Sequence, residues 1–234
     1  MLDLPGLWER GTMVPMSVEA VMSPARCVCS FCSSAELGHE FRTEWWNTPL
    51  LETNNFVVWP SLGALVPGWL LLVPKRHALC LATLKGDVAT ELEGLESHLR
   101  SQLASSYGLP VNSFEHGPAQ PGDPVSCTVD HAHMHVVPTQ VELKLTAQNI
   151  VRRSWAPVTS LRQCLGIHER GLSYVYLRTP DGHQHALQGK SLPSQLMRRV
   201  IAQAFPREQW DWRLNHQLEN VRDTQDLLRP VLAG

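Results

Sequence analysis

The sequence predicts an α+β protein, on three observations. Two short apolar runs, Phe56–Trp59 and Trp69–Val73, are bracketed by Pro60, Pro67-Gly68 and Pro74. They read as strands buried on both faces. Residues 87–107 carry Val88, Leu92, Leu95, Leu99 and Leu103 at spacings of four, three, four and four, one stripe of a helix. Residues 128–138, TVDHAHMHVVP, alternate histidine with small or apolar residues in strand period.

Taken in order, residues 1–24 hold three prolines and four methionines without a period and read as a leader. Residues 25–34 form a cysteine-rich segment with Cys27, Cys29 and Cys32. The helix over 87–107 places Glu91, Glu93, Glu96 and Arg100 off its stripe and stops at Gly108 and Pro110. Residues 111–116 read as a strand and 117–124, GPAQPGDP, as a loop. After Pro138 the pattern changes. Residues 172–187 read as a hairpin turning at Pro180-Asp181-Gly182. Residues 193–204 read as a helix with Leu196, Val200 and Ile201 inward.

Composition excludes several classes. With 43% hydrophobic and 18% charged residues, the chain suits a globular core and not a disordered segment. Twenty Lys+Arg against 22 Asp+Glu, net charge −2, give no basic footprint for nucleic acid. The most apolar stretch, 62–74, is short and holds Pro67 and Gly68, so no membrane span is expected. The N-terminus lacks a basic region followed by an apolar run, so no signal peptide is expected. The chain is then expected to be cytoplasmic, and there crowded cysteines favour metal or redox chemistry over a disulfide framework.

The three histidines carry the most information. On a strand, His131, His133 and His135 share one face, while Ala132, Met134 and Val136 point into a core. Imidazole titrates near neutrality, so it serves as free base, nucleophile or metal ligand. The residues alone leave two readings open: three ligands of a catalytic metal, or a mixed nucleophile and ligand set.

His-Ala-His-Met-His-Val-Val, residues 131–137, resembles the signature of the histidine-triad superfamily of nucleotide hydrolases and transferases. Upstream, Trp69–Val73 followed by Pro74-Lys75-Arg76-His77 is similar to that family's second landmark, an apolar strand ending in Pro-Lys-x-His. The resemblance covers roughly residues 25–140. It implies an antiparallel sheet of about five strands with packed helices in that domain. Residues 141–234 are then an α/β extension covering or completing the site.

The resemblance implies that His133 attacks the α-phosphorus of a nucleoside phosphate and becomes a nucleotidyl-histidine. His135 donates to phosphate oxygens. Thr128 faces the phosphate or leaving group, and His131 is the first triad member. In the zinc-bearing branch of the family, a CxxC pair joins the Pro-Lys-x-His histidine and the first triad histidine. Carried over, the ligands are Cys29, Cys32, His77 and His131, a closed tetrahedral structural zinc site. Cys27 leaves the pairing with Cys32 ambiguous. A redox pair and plain buried thiols are the rival readings of these cysteines. Cys80, Cys127 and Cys164 read as small core or surface residues.

The nucleoside pocket departs from the family. Position 61, where relatives carry an acidic residue that grips the ribose diol, is Ser61. The segment before the triad is Phe114-Glu115-His116-Gly117, and Cys127 replaces a common glutamine. Trp59, Ser61, Asn55, Glu115 and His116 are the candidate substrate contacts, with Asn54 beside them. Arg152, Arg153, Arg198, Arg199 and Arg213 are candidate phosphate contacts. Three functions follow: nucleotidyl hydrolysis or transfer through His133, phosphorolysis or transfer to a small acceptor, and a nucleotide-binding, zinc-stabilised scaffold without turnover. The expected partner is a nucleotide or nucleotide conjugate, and a homodimer is compatible with the family.

Overall fold

A computed structural model of the chain describes residues 29, 31–32, 44–126, 129–205 and 210–232. The leader at 1–24, Cys27, Cys127 and Thr128 lie outside the described residues.

Eight strands form one sheet: β1 Leu51–Glu52, β2 Phe56–Pro60, β3 Leu70–Pro74, β4 Val111–Gly117, β5 Met134–Pro138, β6 Ala156–Val158, β7 Ser173–Arg178 and β8 Gln184–Gly189. Their order is β1-β2-β3-β5-β4-β7-β8-β6, and each adjacent pair is antiparallel. Strands β1 to β5 are the five expected of residues 25–140, but the sheet does not stop there. Strands β6, β7 and β8 come from beyond residue 140 and extend it past β4. The helices are α1 Gly86–Tyr107, α2 Leu143–Val151, α3 Leu165–Glu169, α4 Leu196–Ala202 and α5 Leu218–Leu232. Among the described residues, no helix is long and apolar enough to cross a membrane.

Local rules account for most boundaries. β2 and β3 are buried at every position, as their unbroken apolarity requires. α1 ends where Gly108 adopts a left-handed φ of 63° and donates its N–H to the Ala104 carbonyl at 2.9 Å, a conformation that glycine adopts without a Cβ clash. Leu92, Leu99 and Leu103 are buried along it. Glu96 departs from expectation: it lies on the same face, one turn beyond Leu92, and is buried against Arg178 of β7 at 3.3 Å. The β7–β8 hairpin turns through Pro180-Asp181-Gly182, with Gly182 at φ 89° and the Thr179 N–H bonded to the His183 carbonyl at 2.9 Å. α4 is shorter than the helix expected over 193–204, starting only at Leu196.

The sheet separates two cores. On one face Phe56, Val58, Leu70, Leu72, Met134 and Val136 pack with α1, α3 and α5. On the other, Trp69, Phe114, Val137, Val175, Leu177 and Leu187 pack with α2 and α4. That second face is covered only in part. Beyond α4, the apolar patch Val57, Trp59, Leu71 and Val73 meets Phe31 of the cysteine segment.

This alternation corrects one assignment. Glu115 does not reach a substrate pocket, because its neighbour His116 takes the opposite face. The Glu115 carboxylate is buried on the α1 side, accepting the Leu81 N–H at 2.5 Å and the Tyr174 hydroxyl at 2.6 Å. Burial pushes this carboxyl up to about 7, against the pull of those two donors. A raised carboxyl means that folding favours the protonated form. Its contribution is full below about pH 4.5 and is lost as pH rises through about 7. The loss is on the order of 3 kcal/mol. Glu115→Gln should therefore melt near the native chain at pH 5 and several degrees above it at pH 8. Thermal melts at the two pH values check this, and a pH-independent difference would refute it.

Candidate functional site

The cysteine segment, the turn after β3 and the lead-in to β5 converge on four ligand atoms. Among the described residues, Cys29, Cys32, His77 and His131 each offer one atom, all within 4.8 Å of one another. Cys32 Sγ lies 3.3 Å from His77 Nδ1 and 3.4 Å from His131 Nδ1, and Cys29 Sγ lies 3.5 Å from His131 Nδ1. Zinc bonds near 2.3 Å to sulfur and 2.0–2.1 Å to nitrogen place tetrahedral ligand atoms roughly 3.3–3.8 Å apart. The three sulfur–nitrogen separations fit that spacing.

The second nitrogen of His131 settles its tautomer. Nε2 lies 2.8 Å from the Pro74 carbonyl, and a carbonyl only accepts. Nε2 therefore carries the proton and Nδ1 presents its lone pair to the thiols, the arrangement of a metal-bound imidazole. A CxxC pair with two imidazoles could hold a metal with no position left for water.

The triad is not three residues of one strand. β5 begins at Met134, so His131 and His133 precede it. The cause lies in β3. Pro74 has no N–H to give a ladder, and its carbonyl goes to the His131 ring. The Ala132 N–H turns to the Ala78 carbonyl at 2.7 Å. The chain reaches the ladder only where Leu72 faces Met134 and Leu71 faces His135. His131 thus leaves the shared face and packs edge-on to His77, ring centroids 5.0 Å apart. Ala132, Met134 and Val136 do point into the core.

His133 and His135 remain together, ring centroids 4.8 Å apart. His133 Nδ1 lies 2.8 Å from the His131 carbonyl, so Nδ1 carries the proton and Nε2 keeps its lone pair. His135 has the opposite tautomer. Its Nδ1 accepts the Trp69 indole N–H at 3.0 Å, which leaves Nε2 as a donor when the ring is neutral. Burial holds both imidazoles below their ordinary range. The neighbouring His133 and His116 add to this at His135, and Arg198 opposes protonation of both. A free-base nitrogen and an N–H donor therefore stand side by side.

These two rings open on a cavity of about 310 Å³ on the partly covered face of the sheet. Of the expected substrate contacts, Trp59, Ser61 and His116 line it. Phe31 stacks on Trp59 at 5.8 Å with planes 13° apart, and meets His133 edge-on at 5.6 Å. His116 Nε2 accepts the Met197 N–H at 3.4 Å, and its Nδ1 has no hydrogen-bond partner among the described residues. Burial drives this ring down to about 3, helped by His133 and Arg198.

Other assignments do not hold. Asn55 is drawn away to α1, donating to Glu91 at 2.6 Å. Arg199 stacks over Trp210 at 3.9 Å and Arg213 pairs with Asp211 at 2.5 Å, while Arg152 and Arg153 are exposed. Arg198 alone of the five arginines lines the cavity. Trp46, Asn47 and Trp212 also line it, and nothing local in the sequence marks them.

No family model matches the chain, and no curated protein does. Solved structures do. SMU.412c from Streptococcus mutans UA159 aligns at 19% identity over 62% of this chain and 95% of that one, with a TM-score of 0.40. A Zn-bound histidine triad family protein from Mycobacterium smegmatis aligns at 20% identity over 48% and 76%, TM-score 0.38. A Hit-like protein involved in cell-cycle regulation from Bartonella henselae aligns at 15% identity over 39% and 66%, TM-score 0.35; this chain thus spans just under two thirds of its length.

The ligand cluster yields a direct test. The purified chain should carry about one zinc per molecule by elemental analysis. Cys29→Ser and Cys32→Ser should each lose most of it, while His133→Ala should keep it. Zinc lost from His133→Ala and kept by the cysteine variants would instead make the triad the metal site.

Proposed function

We propose that the protein transfers or hydrolyses a nucleotidyl group, taken from a nucleoside phosphate, through a covalent nucleotidyl-His133. One observation carries the reading. His133 Nε2 is a lone-pair nitrogen at the cavity, with its opposite nitrogen tied to a backbone carbonyl and an N–H donor, His135, beside it.

The steps balance. Nε2 attacks the α-phosphorus, a P–N bond forms, and the bond from phosphorus to the leaving group breaks. The leaving group departs with the electron pair and takes a proton from solvent, and the acceptor that attacks in the second step returns one to solvent. Water, phosphate or a small acceptor then attacks the same phosphorus, the P–N bond breaks, and Nε2 recovers its lone pair. His135 Nε2–H steadies the phosphoryl oxygens as charge builds, with Thr128 as a further candidate near the leaving group. Trp59 and Phe31 offer ring faces to a base, and Ser61 and His116 border the same space.

In this reading Cys29, Cys32, His77 and His131 hold a structural zinc. When bound, that ion locks the cysteine segment to the chain leading into β5 and supplies no reacting atom. Residues 25–140 carry the chemistry. Residues 141–234 complete the wall through Arg198 and Trp212.

Intact-protein mass spectrometry at neutral pH, after mixing with nucleoside phosphates, phosphoramidates and dinucleotides, tests the covalent step. The native chain should gain the mass of one nucleoside monophosphate residue. His133→Ala should gain none and lose at least about 10³-fold in turnover. Release of a monophosphate identifies water as acceptor, and a diphosphate identifies phosphate. No adduct and no product from any compound overturns the reading in favour of a non-catalytic scaffold.

A further inference from the structure

Phe31 belongs to two sites at once. In sequence it stands between Cys29 and Cys32, two of the four candidate ligands. In space its ring stacks on Trp59 at 5.8 Å and meets His131 and His133 edge-to-face, each at 5.6 Å. It packs on the patch Val57, Trp59, Leu71 and Val73, and it lines the cavity together with Trp59 and His133. Beyond α4, this ring is cover for the patch. Trp59 and Leu71 stay only 5% and 9% exposed beneath it.

The cysteines set where that ring can be. Cys32 Sγ lies 3.3 Å from His77 Nδ1 and 3.4 Å from His131 Nδ1, and Cys29 Sγ lies 3.5 Å from His131 Nδ1. The Phe31 Cα is one peptide step, about 3.8 Å, from that of Cys32. Anchoring both thiols therefore confines Phe31 from both sides. A thiol is a weak donor and a weak acceptor, so bare thiol–imidazole contacts are a loose anchor. With a metal bound, the same contacts become ligand bonds and the segment is clamped. His131 has an anchor that needs no metal, its Nε2–H on the Pro74 carbonyl at 2.8 Å. The hold of the metal thus falls mainly on the cysteine segment, and through it on Phe31.

We infer that Phe31 couples the cysteine–histidine cluster to the cavity, so that metal at the cluster and nucleotide at His133 raise each other's affinity. A metal-loaded cluster keeps the ring on Trp59 and the wall complete. An empty one releases the segment and opens the wall. The linkage is reciprocal, one factor acting in both directions. Stacking of a base on one aromatic ring is worth roughly 5- to 150-fold in affinity, which bounds that factor. The ligand in this inference rests on the nucleotide reading of the His133 site; the movement of the wall does not.

Hydroxyl-radical footprinting, read by mass spectrometry, tests the wall without a ligand. Trp59 should oxidise slowly in the zinc-loaded chain. Chelating the zinc should raise its oxidation severalfold, while Trp69, fully buried in the other part of this face, stays protected. Zinc-loaded Phe31→Ala should show the raised level already, and chelation should add little to it. No change at Trp59 on chelation overturns the inference. So does oxidation of Trp69 together with Trp59, because the metal then holds the whole fold and not this wall.

Equilibrium binding of the 5′-monophosphates of adenosine, guanosine, cytidine and uridine tests the coupling. At least one should bind the zinc-loaded native chain about 5-fold or more tightly than the chelated chain. Phe31→Ala should lose this dependence on zinc, and Phe31→Tyr should keep it. Equal affinity with and without zinc, or an undiminished dependence in Phe31→Ala, overturns the coupling. No binding by any of the four overturns it as well. A nucleotidyl adduct on the native chain then keeps the His133 reading alive, and the absence of any adduct or product overturns that reading too.

Discussion

The site depends on how one imidazole is held. His131 is fixed from two sides, with Nε2–H on the Pro74 carbonyl and Nδ1 against the thiols of Cys29 and Cys32. Its backbone carbonyl then orients the next histidine in the pattern. The side chain serves the cysteine cluster and the main chain holds the His133 ring, so a displacement of His131 reaches both. Two hydrogen bonds to carbonyls and one to an indole fix every tautomer in the series His131, His133 and His135 without any ionised partner. That is how an interior poor in carboxylates keeps a nitrogen lone pair in place.

The sheet divides labour by face. Buried carboxylates, Glu115 and Glu96, sit on the α1 side. The cavity imidazoles His133, His135 and His116 sit with Arg198 on the other side. Alternation along β4 enforces the separation, since Phe114 and His116 face the cavity side while Ser113 and Glu115 face α1. The α1 side is closed by three helices. The other is closed by α2 and α4 over only part of its width, and the gap beyond α4 is the cavity. Its rim is drawn from the cysteine segment, from β2 and its following loop, and from two stretches beyond residue 140.

Much of this was legible in the sequence, for local reasons. α1, the β7–β8 hairpin and strands β2 and β3 are written in periodicity and turn residues. The four candidate ligands were legible from the family pattern, and the structure gathers them into one cluster. The start of β5 was not, because strand period continues through His131 and His133, while the carbonyl of Pro74 is diverted to a ring. Strand parity allowed only one of Glu115 and His116 to face the cavity, and this signal was available. Asn55 was misplaced because its partner, Glu91, lies on a helix that sequence spacing alone does not bring near. Arg198 lies 137 residues from Ser61, and no local pattern carries such a contact. The same holds for sheet size, since the pairing of β4 with β7 is long-range.

That pairing has a consequence for synthesis of the chain. β4 is buried at all seven positions, and five of its residues, Ser113 to Gly117, depend on β7 for their outer partners. The ribosome delivers β7 about 56 residues after β4 ends. At roughly 5–20 residues per second, the emerging chain spends about 3–11 s with this strand edge open and no partner for it. During that interval the row of open N–H and C=O groups is a template for the same strand of a neighbouring nascent chain. A chaperone that shields β4, or a codon schedule that hastens the arrival of β7, would therefore govern the yield of folded protein more than the stability of the finished sheet does.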